Sequence, residues 1–182
     1  KPITAPEGYW SFEVEKKLID NCRKKYFHIP SHLKEFFSIE NQYELLSFAP
    51  EECLYVDSRI VEYKHWVVYS NFILCDINRI PPEYRTEEVM LNFATVAPLR
   101  IDEIKEEDLS LEFLFKAVKR KPRVYTYLKD KYKTYDLTLL YLDTCEKTKI
   151  TVNDTRIPES HMTAEVKRKL EKIKQSQFDF EI

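Results

Sequence analysis

Thr86-Glu87-Glu88-Val89-Met90-Leu91-Asn92-Phe93-Ala94-Thr95-Val96-Ala97-Pro98 is answered, 24 residues on, by Ser110-Leu111-Glu112-Phe113-Leu114-Phe115-Lys116-Ala117-Val118-Lys119-Arg120-Lys121-Pro122. Both stretches open on a hydroxyl residue suited to cap a helix N-terminus. Both place a carboxylate two residues later, where the helix dipole favours negative charge. Apolar side chains then recur at helical spacing, and a proline ends the run.

The same mark extends in both directions, to Ser38, Glu62, Thr86, Ser110 and Thr134. Three columns are apolar in all five units. Five residues after the mark stand Tyr43, Val67, Leu91, Phe115 and Leu139; seven after stand Leu45, Tyr69, Phe93, Ala117 and Tyr141. Eighteen after stand Val56, Ile80, Ile104, Leu128 and Val152. One such column arises by chance roughly one time in seventy at this composition, so three among 24 indicate a repeat. Twelve after the mark, Pro50, Pro98 and Pro122 share a column with Leu74 and Glu146. Fifteen after, Cys53, Ile77, Ile101 and Tyr125 precede the polar Lys149.

The spacing predicts an all-α chain. Each unit holds one helix after the cap, a proline break, and a shorter helix whose inner face lies at offsets fifteen and eighteen. A short polar link follows, such as Pro81-Pro82-Glu83 or Lys105-Glu106-Glu107. Helices this short are not stable alone, so the units are expected to stack as a small α-solenoid. Residues 1–37 are read as an N-terminal arm with capping helices near Phe12–Tyr26 and Ser31–Phe37. Residues 38–157 are read as the five repeats, and 158–182 as a C-terminal capping helix and tail. In that helix Thr163 is the cap, and Val166, Leu170 and Ile173 face inward. The tail Phe178-Asp179-Phe180-Glu181-Ile182 alternates, as a strip that docks in extended form would.

These units resemble a helical repeat domain of unknown function. Its units run approximately D-x-E-V-V-L-A-A-V-K, then a break, then a short helix. The likeness is clear over 86–133, fair over 38–85 and weak over 134–157. At the break that family often has Asn-Gly, where this chain has proline. The family has no assigned active site, so the resemblance implies a fold and leans toward scaffold or interaction roles.

Composition narrows function. The 182 residues include 29 Lys and Arg against 31 Asp and Glu, a net charge of -2 that exerts no global pull on nucleic acid or anionic membrane. The single glycine, Gly8, leaves no Walker loop, Rossmann fingerprint or nucleophile elbow. Apolar runs fall far short of a membrane span. No charged-then-apolar opening resembles a signal peptide, and the start at Lys1 leads us to expect a preceding segment. Cys22, Cys53, Cys75 and Cys145 are scattered, as reduced core thiols of an intracellular protein are. The Asn153-Asp154-Thr155 sequon is then expected to stay unused.

Chemistry-bearing patterns are few. Lys116, Lys119, Arg120, Lys121, Arg123, Lys129, Lys131 and Lys133 form a basic stretch interleaved with Tyr125, Tyr127 and Tyr132. Cations suit phosphate and exposed tyrosines stack on bases. Lys119-Arg120-Lys121-Pro122-Arg123 also resembles a nuclear-import patch. The plainer reading is a solvated face neutralised by Asp102, Glu103, Glu106, Glu107, Asp108 and Glu112, with Tyr125 in the core. Tyr9, Trp10 and Phe12 either pack as a cap or anchor a partner. His28 and His32 stand four apart, but Pro30 divides them and no cysteine or carboxylate cluster adjoins, so no metal site is expected. The carboxylate pairs Glu51-Glu52, Glu87-Glu88 and Glu106-Glu107 recur with the repeat and read as caps and turns.

No catalytic residues and no cofactor are expected. The leading expectation is a non-catalytic interaction or assembly component, soluble inside a cell, a virus particle or a large complex. Its partner-binding candidates are Tyr9, Trp10, Phe12, Phe178 and Phe180 and the basic Lys119, Arg120, Lys121 and Arg123. The alternative is nucleic-acid binding through 116–133.

Overall fold

A computed structural model of the chain describes residues 11–25 and 37–178. All regular structure among the described residues is helical. The chain divides into two compact units, Lys1–Tyr84 and Arg85–Ile182.

The first described helix of the first unit is α1 (Phe12–Lys25); Tyr26, the end of the predicted stretch, lies outside the described residues. Ser11 caps α1, accepting from the Val14 amide at 3.3 Å. Positions 15, 18, 19 and 22 turn inward, the spacing of one helical face. Ile19 packs with Phe37, Leu45 and Ala49, and Leu18, Cys22, Phe48 and Val56 close around them. The next helix is α2 (Ile39–Phe48). Buried Glu15 fastens the two, because its Oε2 accepts from the Ser38 amide at 2.9 Å and Asn41 Nδ2 at 2.7 Å. A carboxylate at the start of α2 answers both its orphan amides and its dipole. After α2 come 3-10 helices at Pro50–Tyr55 and Ser58–Ile60, then α3 (Tyr63–Tyr69), then 3-10 turns at Ile77–Arg79 and Pro82–Tyr84. The predicted helix at 31–37 falls almost wholly outside the described residues.

The second unit holds α4 (Glu87–Val96), α5 (Leu111–Arg120), α6 (Arg123–Tyr127), α7 (Tyr135–Thr148) and α8 (Ala164–Phe178). Between them lie 3-10 helices at Pro98–Glu103, Glu106–Asp108, Asp130–Tyr132, Asp154–Arg156 and Glu159–His161. In α8 Val166, Leu170 and Ile173 are buried, as the pattern predicted, and Thr163 Oγ1 accepts from the Val166 amide.

Each predicted mark is a helix N-cap. Ser38, Thr86, Ser110 and Thr134 accept from the amide three residues on. Glu62 does so through a capping box with His65, whose Nδ1 accepts from the Glu62 amide at 2.9 Å. The breaks follow from proline. Ala49, Ala97 and Lys121 precede Pro50, Pro98 and Pro122, and proline excludes the α region from the residue before it. Their φ,ψ values are accordingly -132°, 65°; -121°, 64°; and -144°, 97°.

Two details differ from the sequence reading. The shorter helix of each unit is mostly 3-10, and only α6 is α-helical there. Inner positions three apart, as at offsets fifteen and eighteen, align in a 3-10 turn. The polar links are themselves 3-10 turns, beginning at Ser58, Pro82, Glu106, Asp130 and Asp154, again 24 residues apart. Without the proline, α7 runs on to Thr148 and ends at Lys149, which is left-handed with φ 56° and ψ 33°. Ile150 donates back to the Cys145 carbonyl, the six-to-one bond of a Schellman end.

Candidate functional site

Unit by unit, two surface features stand out. The first is the end of α3. Here Leu74 replaces the break proline, yet the helix stops early, at Tyr69. Ser70 Oγ and Asn71 Nδ2 both donate to the Val67 carbonyl, at 2.7 and 2.8 Å. Such side chains compete with the helical ladder for its carbonyls. Turn bonds Phe72 N to Tyr69 O and Cys75 N to Phe72 O then fold the chain back. The Asp76 amide donates to Tyr69 Oη at 3.0 Å, and buried Cys75 anchors the return. The tip of this ordered loop carries Phe72, Ile73 and Leu74, at 41%, 67% and 87% exposure. Exposed Val68 precedes them on α3. Sequence reasoning placed Leu74 in the proline column and missed this tip. The available signal was an apolar run, Phe72 to Cys75, after a polar Ser70-Asn71 stop.

Beneath that region Trp66 is 5% exposed, stacked on Tyr84 (6.1 Å, 27°) and edge-on to Tyr69 (6.0 Å, 77°). Its indole Nε1 has no acceptor among the described residues. Trp66, Cys53, Val56, Val61, Arg79 and Tyr84 help line a cavity of about 520 Å³.

The second feature is the basic stretch of the second unit, which the structure divides. Lys116 pairs with Glu87 and Glu112, both at 2.8 Å, and Lys131 pairs with Glu106 at 2.5 Å. Of the acidic run, Glu106 and Glu112 thus meet lysines of the basic stretch, and these pairings hold both carboxyls below their ordinary range. Lys133 is a correction to the sequence reading, which counted it in the basic face. It is 7% exposed. Its Nζ donates to Asp130 Oδ1 at 2.9 Å and the Arg156 carbonyl at 2.8 Å, over the Tyr125 ring. Its column also holds Val61, Arg85, Leu109 and Ile157, of which all but Arg85 are buried.

Lys119, Arg120, Lys121, Arg123 and Lys129 remain exposed and form no ion pair among the described residues. They cluster at the end of α5 and around α6. Beside them lies a groove of about 510 Å³ lined by Arg123, Thr126, Tyr127, Tyr141, Ile150, Thr151 and Asn153. Tyr125, read as core, is buried.

Phe12 is exposed, at the start of α1. Tyr9, Trp10 and Phe180 lie outside the described residues, as do His28 and His32. Phe178 is the last residue of α8, and its side chain lies outside the described set. No metal-binding cluster of His, Cys, Asp or Glu occurs among the described residues. His65 serves its capping box, and burial holds its imidazole below the usual range. His161 Nδ1 contacts Thr138 Oγ1 at 2.9 Å. Cys53, Cys75 and Cys145 are buried, and burial pushes the Cys145 thiol up to about 11, away from thiolate chemistry. No described helix is long and apolar enough to cross a membrane.

Comparison of the chain with family models, curated proteins and solved structures gives no match.

Proposed function

We propose that this chain is a non-catalytic interaction component that docks a protein partner through the Phe72-Ile73-Leu74 tip. The 24-residue spacing of caps and 3-10 turns supports the further reading of a small α-solenoid related to the helical repeat domain it resembles. Solenoids serve as scaffolds by presenting extended surfaces.

One observation carries the proposal. Three consecutive apolar side chains project from a loop that hydrogen bonds hold in place. Isolated exposed apolar residues are ordinary, but a contiguous run marks a contact site. An ordered loop loses little entropy on docking, so the apolar surface it buries converts more fully into affinity. The partner is a protein with an apolar pocket matched to Ile73 and Leu74.

The test is co-purification of a tagged chain from its native host in the presence of nuclease, beside an Ile73→Ser, Leu74→Ser variant. Partners retained by the parent and lost by a variant of unchanged thermal stability support the reading. A parent that stays monomeric and retains nothing overturns it, as does a variant that keeps every partner.

A further inference from the structure

The groove beside α6 goes beyond protein docking. We propose that this edge of the second unit binds single-stranded nucleic acid, with phosphate against Arg123 and a base against Tyr127.

Uncompensated charge is the first argument. Lys119, Arg120, Lys121 and Arg123 are exposed cations without an ion-pair partner among the described residues. Exposed Lys147, at the end of α7, is likewise unpaired there. The groove brings Arg123 beside Ile150 and Thr151, and Lys147 stands three residues before Ile150 in the chain. Nearby carboxylates are already occupied by lysines of α8: Asp143 by Lys169, Glu146 by Lys172 and Asp154 by Lys174. None of the residues lining the groove is acidic. A polyanion therefore meets cations that no internal carboxylate neutralises.

The lining supplies the second argument. Half-buried Tyr127 and buried Tyr141 are among the residues that line the groove. Thr151 and Asn153 add polar edges. A volume of about 510 Å³ is in the range that holds a small organic group such as a nucleobase. An aromatic wall beside a basic rim is how proteins hold single strands without reading sequence. A duplex keeps its bases stacked inside and offers Tyr127 nothing.

The experiment is fluorescence anisotropy of the full chain with a short fluorescein-labelled oligothymidylate. With about three phosphate contacts, affinity should fall roughly twentyfold between 50 and 200 mM salt. An Arg123→Gln, Lys147→Gln variant should bind at least fivefold more weakly while melting as the parent does. Tyr127→Leu should lose a similar factor and Tyr127→Phe should not. Should Tyr127→Leu fail to fold, photo-crosslinking of an iodouracil-bearing oligonucleotide to the parent should label Tyr127. The idea fails if no binding is seen at low salt, or if the charge variant binds normally. It also fails if heparin oligosaccharides or duplex DNA bind as tightly as the single strand, or if the crosslink falls elsewhere. Ile73→Ser, Leu74→Ser should leave oligonucleotide binding intact, so this result and the protein-docking result stand or fall separately.

Discussion

Tyr125 and Tyr141 stack face to face inside the second unit, with ring centroids 4.4 Å apart and planes 8° from parallel. Tyr125 Oη and Thr138 Oγ1 share a hydrogen bond of 2.8 Å, and Tyr141 Oη accepts from the Asn153 amide at 2.9 Å. The pair ties α6 and α7 to the loop that follows α7.

Burial sets how this pair responds to alkali. Burial pushes the Tyr125 phenol up from 10.0 to about 12 and raises Tyr141 as well. In the unfolded chain both phenols ionise near 10. The fold therefore keeps protons that the unfolded chain releases, and its stability is full below pH 10 and falls as pH rises toward about 12. Cys145, raised from 9.0 to about 11, begins the same decline slightly earlier. Denaturant titrations across that window should show the loss. Tyr125→Phe should make the decline shallower, leaving the part due to Tyr141 and Cys145, at a cost of about 1 kcal/mol near neutrality for the Thr138 bond. A stability that stays level through that window contradicts the assignment.

Lys149 closes α7 in a left-handed conformation that glycine adopts without steric penalty. Lys149→Gly is expected to stabilise the chain by about 0.5–1 kcal/mol, and Lys149→Val to destabilise it by more. Thermal melts of the two variants give the order directly.

Lys133 is held by a neutral carbonyl and an exposed carboxylate, so its two bonds differ in weight. Lys133→Met keeps apolar packing over Tyr125 but strands the Arg156 carbonyl, at about 1–3 kcal/mol. Asp130→Asn removes the charge of an exposed partner but keeps a side-chain oxygen that can accept from Lys133, and should cost less than Lys133→Met. If unfolding midpoints reverse this order, the ion pair and not the carbonyl holds Lys133.

Trp66 buries an indole N–H that meets no acceptor among the described residues. Trp66→Phe removes that donor while keeping a ring against Tyr84, so it should cost less than about 1.5 kcal/mol. Trp66→Ala should cost about 3–5 kcal/mol. Equal losses in the two variants would show the N–H to be satisfied in solution.

The parts of the fold legible in the sequence are those fixed by local chemistry. Ser38, Thr86, Ser110 and Thr134 cap because a hydroxyl there answers an amide three residues on, whatever surrounds it. Pre-proline breaks at Ala49, Ala97 and Lys121 are equally local. The face of each helix was harder. The offset-seven column is buried throughout, as its apolar content suggests. The offset-five column is equally apolar, yet Val67, Leu91, Phe115 and Leu139 are only half-buried and Tyr43 is exposed. Offsets three and four are buried in every unit but include Asn41, Gln42, His65 and Thr138. Each of these polar side chains is satisfied inside: Asn41 by Glu15, Gln42 by Phe37 and Asp57, His65 by Glu62, Thr138 by Tyr125. Partners 15 or 26 residues away leave no local trace. The basic cluster was visible as residues, but which of its cations are free depends on carboxylates brought in from neighbouring turns.

In the second unit, α7 and α8 run in the same direction. Tyr135 meets Thr163 and Glu165 at the start of α7 and α8, and Glu146 meets Lys172 near their far ends. The groove sets the chain after α5 beside the chain after α7. Acidic residues fill the first turns, at Glu87, Glu88, Glu112, Asp136 and Glu165, while Lys119, Arg120 and Lys147 sit in last turns. Behind the chain's net charge of -2, the second unit thus keeps carboxylates at helix starts and cations at the ends of α5 and α7. Such a separation lets the unit present cations to an anion at one end of a helix while its carboxylates lie at the other. Net charge and isoelectric point carry no trace of that separation, and low ionic strength is where it would be felt.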